Sequence, residues 1–261
     1  MNSELLVNLK VSSQNDREKY LQFLKVVIYL LLLYLGMKLC TSILYYLKDS
    51  PERFCDTTPC IIRFSVFFVL FFGPWLYIFT CGLAHQVIQL DIPKLFIYMG
   101  STFCCAICAE VFIDHAFILL FKQPAWQYRI WPKHHGFTSG VGHVMWPLYG
   151  FYLYCLHQAI DKNDKFKWAK DHFPKAILIG IDAMVLEILA NTFSLALFGT
   201  YYFYYLPDDL YHFTTIQIFI PYVICGYIGV KLLDCLERYR NQGVWIGIGF
   251  YLTGILMLSH A

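Results

Sequence analysis

Apolar residues run along this chain in blocks of membrane-span length, separated by short polar stretches. A helix needs about 20 consecutive apolar residues to cross the hydrocarbon core of a bilayer. Seven blocks qualify. They are Phe23–Leu47, interrupted by Lys38; Ile61–Gln89, with Pro74 inside; Leu95–Phe121; Val141–Ile160; Ala176–Phe198; Thr214–Leu233; and Val244–Ser259. The last is short and polar-ended, so it reads as a tilted span or a re-entrant piece, and six spans is the alternative to seven. The pattern predicts an all-α, polytopic helical membrane bundle. Residues 1–22 form a polar N-terminus, 23–90 two leading spans, 95–237 a duplicated four-helix core, and 244–261 a short C-terminal membrane segment.

Composition narrows the class further. The chain is 58% hydrophobic and 15% charged, against about 25% charged in a soluble domain. That excludes a disordered chain, a soluble enzyme of ordinary composition and a disulfide-stapled secreted module. The net charge of +2 supplies no basic field for nucleic acid. No phosphate-binding loop of the Gly-x-x-x-x-Gly-Lys-Ser/Thr type is present, so no nucleotide site is expected. The sequence names no cofactor.

The position of the charges says more than their sum. With seven spans, 13 Lys and Arg fall on the N-terminal side, including Lys94, Lys162, Lys165, Lys167, Lys170 and Lys175; six fall opposite, with Lys38 unassigned. The positive-inside rule then makes the N-terminus cytoplasmic, in an endomembrane or the plasma membrane. Eight of the ten cysteines lie in or beside spans, as small packing residues. Cys55 and Cys60 differ: they share a loop on the opposite, non-cytoplasmic side, where a local disulfide can persist.

An internal repeat carries the functional reading. Ala109-Glu110-Val-Phe-Ile-Asp114 aligns with Leu186-Glu187-Ile-Leu-Ala-Asn191, and Phe121 and Phe198 follow each Glu at the same distance. An aromatic loop comes next in both copies, then a span with Pro147 and Gly150, or Pro221 and Gly226. Each Glu lies roughly 16–22 Å into its span at 1.5 Å per residue. A carboxyl at that depth costs at least a few kcal/mol unless it faces protein or water. Asp114 and Asn191, one turn on, share the helix faces of Glu110 and Glu187. All four residues are therefore expected to line one interior cleft. Interhelical glue, an ion or substrate pathway and catalysis all fit such carboxyls.

The histidines and aromatic loops add candidates. His134, His135 and His143 cluster at the mouth of the fourth span, without the multiple boxes of a di-iron enzyme, and no metal is expected. His143 is a third candidate catalytic residue. Trp131, His135, Tyr205, Asp208, Asp209, Tyr211 and His212 are expected at headgroup level, as an aromatic belt or a lipid-headgroup vestibule. The partners expected are the lipid bilayer and other membrane proteins.

A mid-span Glu, an aromatic loop and a span with a Tyr-Gly or Pro-x-x-x-x-Gly step resemble the transmembrane protein 229 family. That family is similar to bacterial membrane proteins labelled as ABC-transporter-type permeases. The matching positions are Glu110, Tyr149 and Gly150, then Glu187, the segment Tyr204–Phe213, Pro221 and Gly226. They cover roughly residues 105–237. The family's second loop reads Trp-Asp-Tyr-Ser, where this chain has Tyr205-Leu-Pro-Asp208-Asp209-Leu-Tyr211. The resemblance implies a helical membrane core and, by analogy alone, transport. Three functions stay open: a membrane protein that binds or moves a small amphiphile or ion, a lipid-modifying enzyme using Glu110 or Glu187 as general acid or base, and a scaffold.

Overall fold

The computed structural model describes residues 27–29, 31–44 and 55–260. The polar N-terminus 1–22 and both ends of the first expected span lie outside the described residues. The described residues fall into two units, one on either side of the boundary between residues 47 and 48. The first contributes a single apolar helix, α1 (Val27–Leu44). Within it, the Thr41 hydroxyl donates to the Met37 carbonyl one turn back, at 2.9 Å, which satisfies a hydroxyl that lipid would not.

The second unit is a bundle of six helices. They are α2 (Thr58–Ala84), α3 (Ile92–Phe121), α4 (Gly142–Lys162), α5 (His172–Phe198), α6 (Phe219–Glu237) and α7 (Gly243–Ser259). Among the described residues six helices, all except α4, are long and apolar enough to cross a membrane. The chain is thus an all-α, multi-pass integral membrane protein. The helix α4 is less apolar because it meets less lipid: 11 of its 21 residues are buried. It packs between α3 and α2, while α6 packs on α5.

Proline shapes two of these helices and neighbouring groups repair the damage. Pro74 brings no N–H to the α2 ladder, and the turn before it, Phe68–Phe72, widens to a π-helix. Pro147 frees the carbonyl of His143 in α4. The Tyr251 hydroxyl of α7 donates to that carbonyl at 3.3 Å. At α3 the start is well marked. The Asp91 side chain accepts from the Lys94 N–H at 3.4 Å, and Pro93 occupies the first turn.

The short C-terminal block is a full helix held along α3. A side-chain carbon built on Gly100 would lie 2.1 Å from the Gly247 carbonyl oxygen, and one on Gly247 would lie 2.2 Å from that of Phe96. Small residues spaced four apart let the two backbones touch, which is how helices associate in lipid without a hydrophobic drive. The spacing Gly243-x-x-x-Gly247 was visible in the sequence. Gly100→Val is expected to lower the thermal midpoint, with the overpacking cost at about 1–3 kcal/mol. Thermal unfolding of purified protein checks this, and a midpoint matching wild type would refute the contact.

Between the helices, one end of the bundle carries four short strands. They are β1 (Trp126–Tyr128), β2 (Pro132–Lys133), β3 (Thr138–Ser139) and β4 (Phe203–Tyr205). β1 and β4 pair antiparallel, with Trp126 opposite Tyr205, Gln127 opposite Tyr204 and Tyr128 opposite Phe203. β2 pairs with β3. Cys55 bridges to Ile130, and a disulfide joins it to Cys60 across a Cα–Cα distance of 6.2 Å. The loops expected to be an aromatic belt therefore fold back as a strand cap, with Trp126, Tyr128, Tyr202 and Tyr205 buried.

Candidate functional site

The α3–α4 and α5–α6 hairpins position their polar residues in the same way. In the first, the Tyr128 hydroxyl returns from β1 to donate to the Glu110 carboxyl, 18 residues back. In the second, the Tyr205 hydroxyl returns from β4 to donate to Glu187 at 2.6 Å, again 18 residues back. One turn beyond each Glu, a polar side chain caps the strand. Asp114 Oδ1 accepts from the backbone N–H groups of Ala125 and Trp126, at 2.7 and 3.3 Å. Asn191 Oδ1 accepts from Tyr202 and Phe203, at 3.0 and 3.3 Å.

The backbone follows suit. Helix α3 ends on Lys122 and α5 on Gly199, both left-handed. Consecutive left-handed residues then occur at His134 and His135 in one loop and at Tyr211 and His212 in the other. Positive φ is uncommon outside glycine, so two such pairs at matching positions mark the same chain path.

Glu110 and Glu187 line one cavity of about 250 Å³ inside the bundle. This is near the lower end of small-molecule pockets. Its walls include Trp126, Trp146, Tyr149, Tyr202 and Tyr222, and among the described residues no Lys or Arg lines it. It extends to His157, which bonds to Tyr98. Tyr98 and Glu110 lie 12 residues apart on α3, roughly 18 Å at 1.5 Å per residue. The cavity is therefore elongated along the bundle.

The two carboxyls differ in what holds them. Glu187 accepts from three hydroxyls: Tyr205 and Tyr222 on Oε1, and Thr214 on Oε2 at 2.6 Å. Glu110 accepts from Tyr128 on Oε1, and its Oε2 is buried with no hydrogen-bond partner among the described residues. The Tyr149 hydroxyl is likewise buried without one, while the Trp146 indole lies near Glu110 and the Tyr202 hydroxyl near Ser139. At the far end the Tyr98 hydroxyl lies 3.1 Å from Glu237 Oε1 and 2.9 Å from His157 Nδ1. His157 Nε2 is buried with no hydrogen-bond partner among the described residues.

The expected cleft is thus split. Glu110 and Glu187 line the cavity; Asp114 and Asn191 do not. One helical turn carries those two into the strand cap, where backbone N–H groups need acceptors. Tyr205, expected at headgroup level, is buried against Glu187. Trp131, His135, Asp208, Asp209, Tyr211 and His212 stay on the strand end of the bundle and outside the cavity. There His212 stacks on Tyr204 at 4.2 Å and Asp209 accepts from the Ile216 N–H at 2.9 Å. His143 also lies outside the cavity, its Nδ1 2.6 Å from the Gly140 carbonyl. Burial holds the His134 imidazole below its usual pKa, and its Nδ1 lies 2.7 Å from the Thr138 hydroxyl.

Tyr128 was read from the sequence only as a loop aromatic, and Thr214, Tyr222, Trp146 and His157 were not singled out. The equal 18-residue spacing of Glu110–Tyr128 and Glu187–Tyr205 is the signal that would have found the first. Comparison with protein-family models, with curated proteins and with solved structures finds no match for this chain.

Proposed function

We propose that this membrane protein binds, or moves, a small amphiphile through the elongated cavity that holds Glu110 and Glu187. The carrying observation is that both mid-helix carboxyls line one cavity whose walls are otherwise mainly aromatic and aliphatic. We take the two hairpins as copies of one unit, because hydrogen bonds and left-handed turns recur in them at equal spacing. The likeness to the transmembrane protein 229 family belongs to the same proposal. So does the orientation, with the N-terminus cytoplasmic and the Cys55–Cys60 disulfide on the oxidising side.

Catalysis has less support. His143, the expected helper at the headgroup, is turned to a backbone carbonyl outside the cavity. The test compares wild type with Ala109→Trp, which fills the cavity from one wall. Native mass spectrometry from lipid nanodiscs is expected to show a small bound molecule in wild type and none in the variant. Cells lacking the protein should regain their lipid and metabolite profile with wild type only. Equal adducts in both proteins, together with equal rescue, would overturn the reading and leave a scaffold.

A further inference from the structure

The two halves of the cavity are built alike, yet only one of the two carboxyls has an oxygen without a hydrogen bond, and that difference assigns them separate roles. Both Glu187 oxygens are partnered: Tyr205 and Tyr222 donate to one and Thr214 to the other. Counted 77 residues back, Thr214 corresponds to Phe137, which offers no side-chain donor. The pairing of Gly150 with Gly226, 76 apart, sets Trp146 opposite Tyr222. Glu110 accepts from Tyr128, the equivalent of Tyr205, and has the Trp146 indole near it. Glu110 is 5% exposed, and its second oxygen is buried with no well-formed hydrogen bond among the described residues. Buried acceptors in proteins are nearly always satisfied, so one left open in a cavity wall is a place for something that donates.

The surroundings say what kind of donor. Among the described residues no Lys or Arg lines the cavity to balance a carboxylate. The rings of Trp146, Tyr149 and Tyr202 stand in the same wall, and aromatic faces attract cations. The slot running on toward His157 is lined mostly by apolar side chains and is near the lower size limit of ligand pockets. Resting on the amphiphile reading above, we propose that Glu110 is the ligand-binding carboxyl, that its ligand is a small alkylammonium, and that Glu187 is a structural residue. The ammonium N–H groups bond to Glu110 Oε2, its charge sits among the rings, and its alkyl body fills the slot.

The experiment uses purified protein in lipid nanodiscs and three probes of equal length: hexylammonium, hexanol and hexanoate. Saturable binding is followed by calorimetry, and folding by the thermal midpoint. Hexylammonium alone is expected to bind wild type. Glu110→Gln should keep the wild-type midpoint and weaken binding by about tenfold or more, the loss of a charge-assisted hydrogen bond. Glu187→Gln should show the converse, a lower midpoint with affinity kept. Thr214→Val removes one Glu187 donor more gently and should behave the same way, should the first variant fail to fold.

Equal hexylammonium affinity in wild type and Glu110→Gln would overturn the assignment to Glu110. Binding of hexanol or hexanoate in its place would overturn the cation and leave the amphiphile reading standing. Binding of none of the three overturns the inference, and the Ala109→Trp comparison then decides separately whether the cavity reading falls with it.

Discussion

Asn191→Leu is expected to unfold the strand end of the molecule. Asn191 is completely buried and serves four backbone groups at once. Its Oδ1 accepts from the Tyr202 and Phe203 N–H groups, and its Nδ2 donates to the carbonyls of Phe203 and Phe213, at 2.9 and 3.0 Å. Leucine fills a similar volume and serves none of them. A buried polar group left unsatisfied costs about 1–3 kcal/mol, so the four together cost about 4 kcal/mol or more, in the range of the most damaging substitutions.

The check is a thermal or denaturant melt of the purified protein, with amide exchange at Tyr202 and Phe203. Asp114 supplies the control. It caps Ala125 and Trp126 through one oxygen only, and an asparagine does the equivalent work in the other hairpin. Asp114→Asn should therefore lie close to wild type, while Asp114→Leu should cost about half as much as Asn191→Leu. A near-neutral Asn191→Leu would show that the strands are held by their ladder and not by the helix side chain.

Glu187→Leu is the second large effect. It removes the acceptor of three hydroxyls, two of them on the buried residues Tyr205 and Thr214. Tyr205 and Tyr222 can still bond to each other, since their hydroxyls are 2.9 Å apart. Thr214 has no such alternative partner in view. The expected loss is about 2–4 kcal/mol, from one to two buried donors stranded. Glu187→Gln should lose less than half of that, because an amide oxygen still accepts. If leucine proves harmless, the hydroxyls are finding water or backbone, and Glu187 is not the fastener of its hairpin.

These two residues also show how much could be read in advance. The mid-helix carboxyls were legible because a charge in an apolar run stands out against its neighbours. Their polar followers at i+4 were legible for the same reason. Shared helix face, however, was read as shared cavity, and this failed. A helix face is a line running the length of the bundle, and what it meets changes with every turn. At the level of Glu110 and Glu187 it meets a cavity; one turn on it meets the returning strands. The tyrosines were misread in the same way. An aromatic-rich loop beside a span looks like an interfacial belt, and the strand pairing of Trp126–Tyr128 with Phe203–Tyr205 involves partners 75 to 79 residues apart. Nothing local encodes such a contact.

By itself the sequence determined the class of the protein and its helices, because apolar run length is a local property that the bilayer reads directly. The Cys55–Cys60 pair was legible from the closeness of two loop cysteines in the chain. The tertiary structure decided which carboxyl has both oxygens partnered and which has one without a hydrogen bond, that α4 lies inside while its neighbours face outward, and that the last helix seats against α3 through glycine. Those outcomes depend on groups far apart in the chain meeting at distances of a few ångströms, and only the folded packing sets those distances.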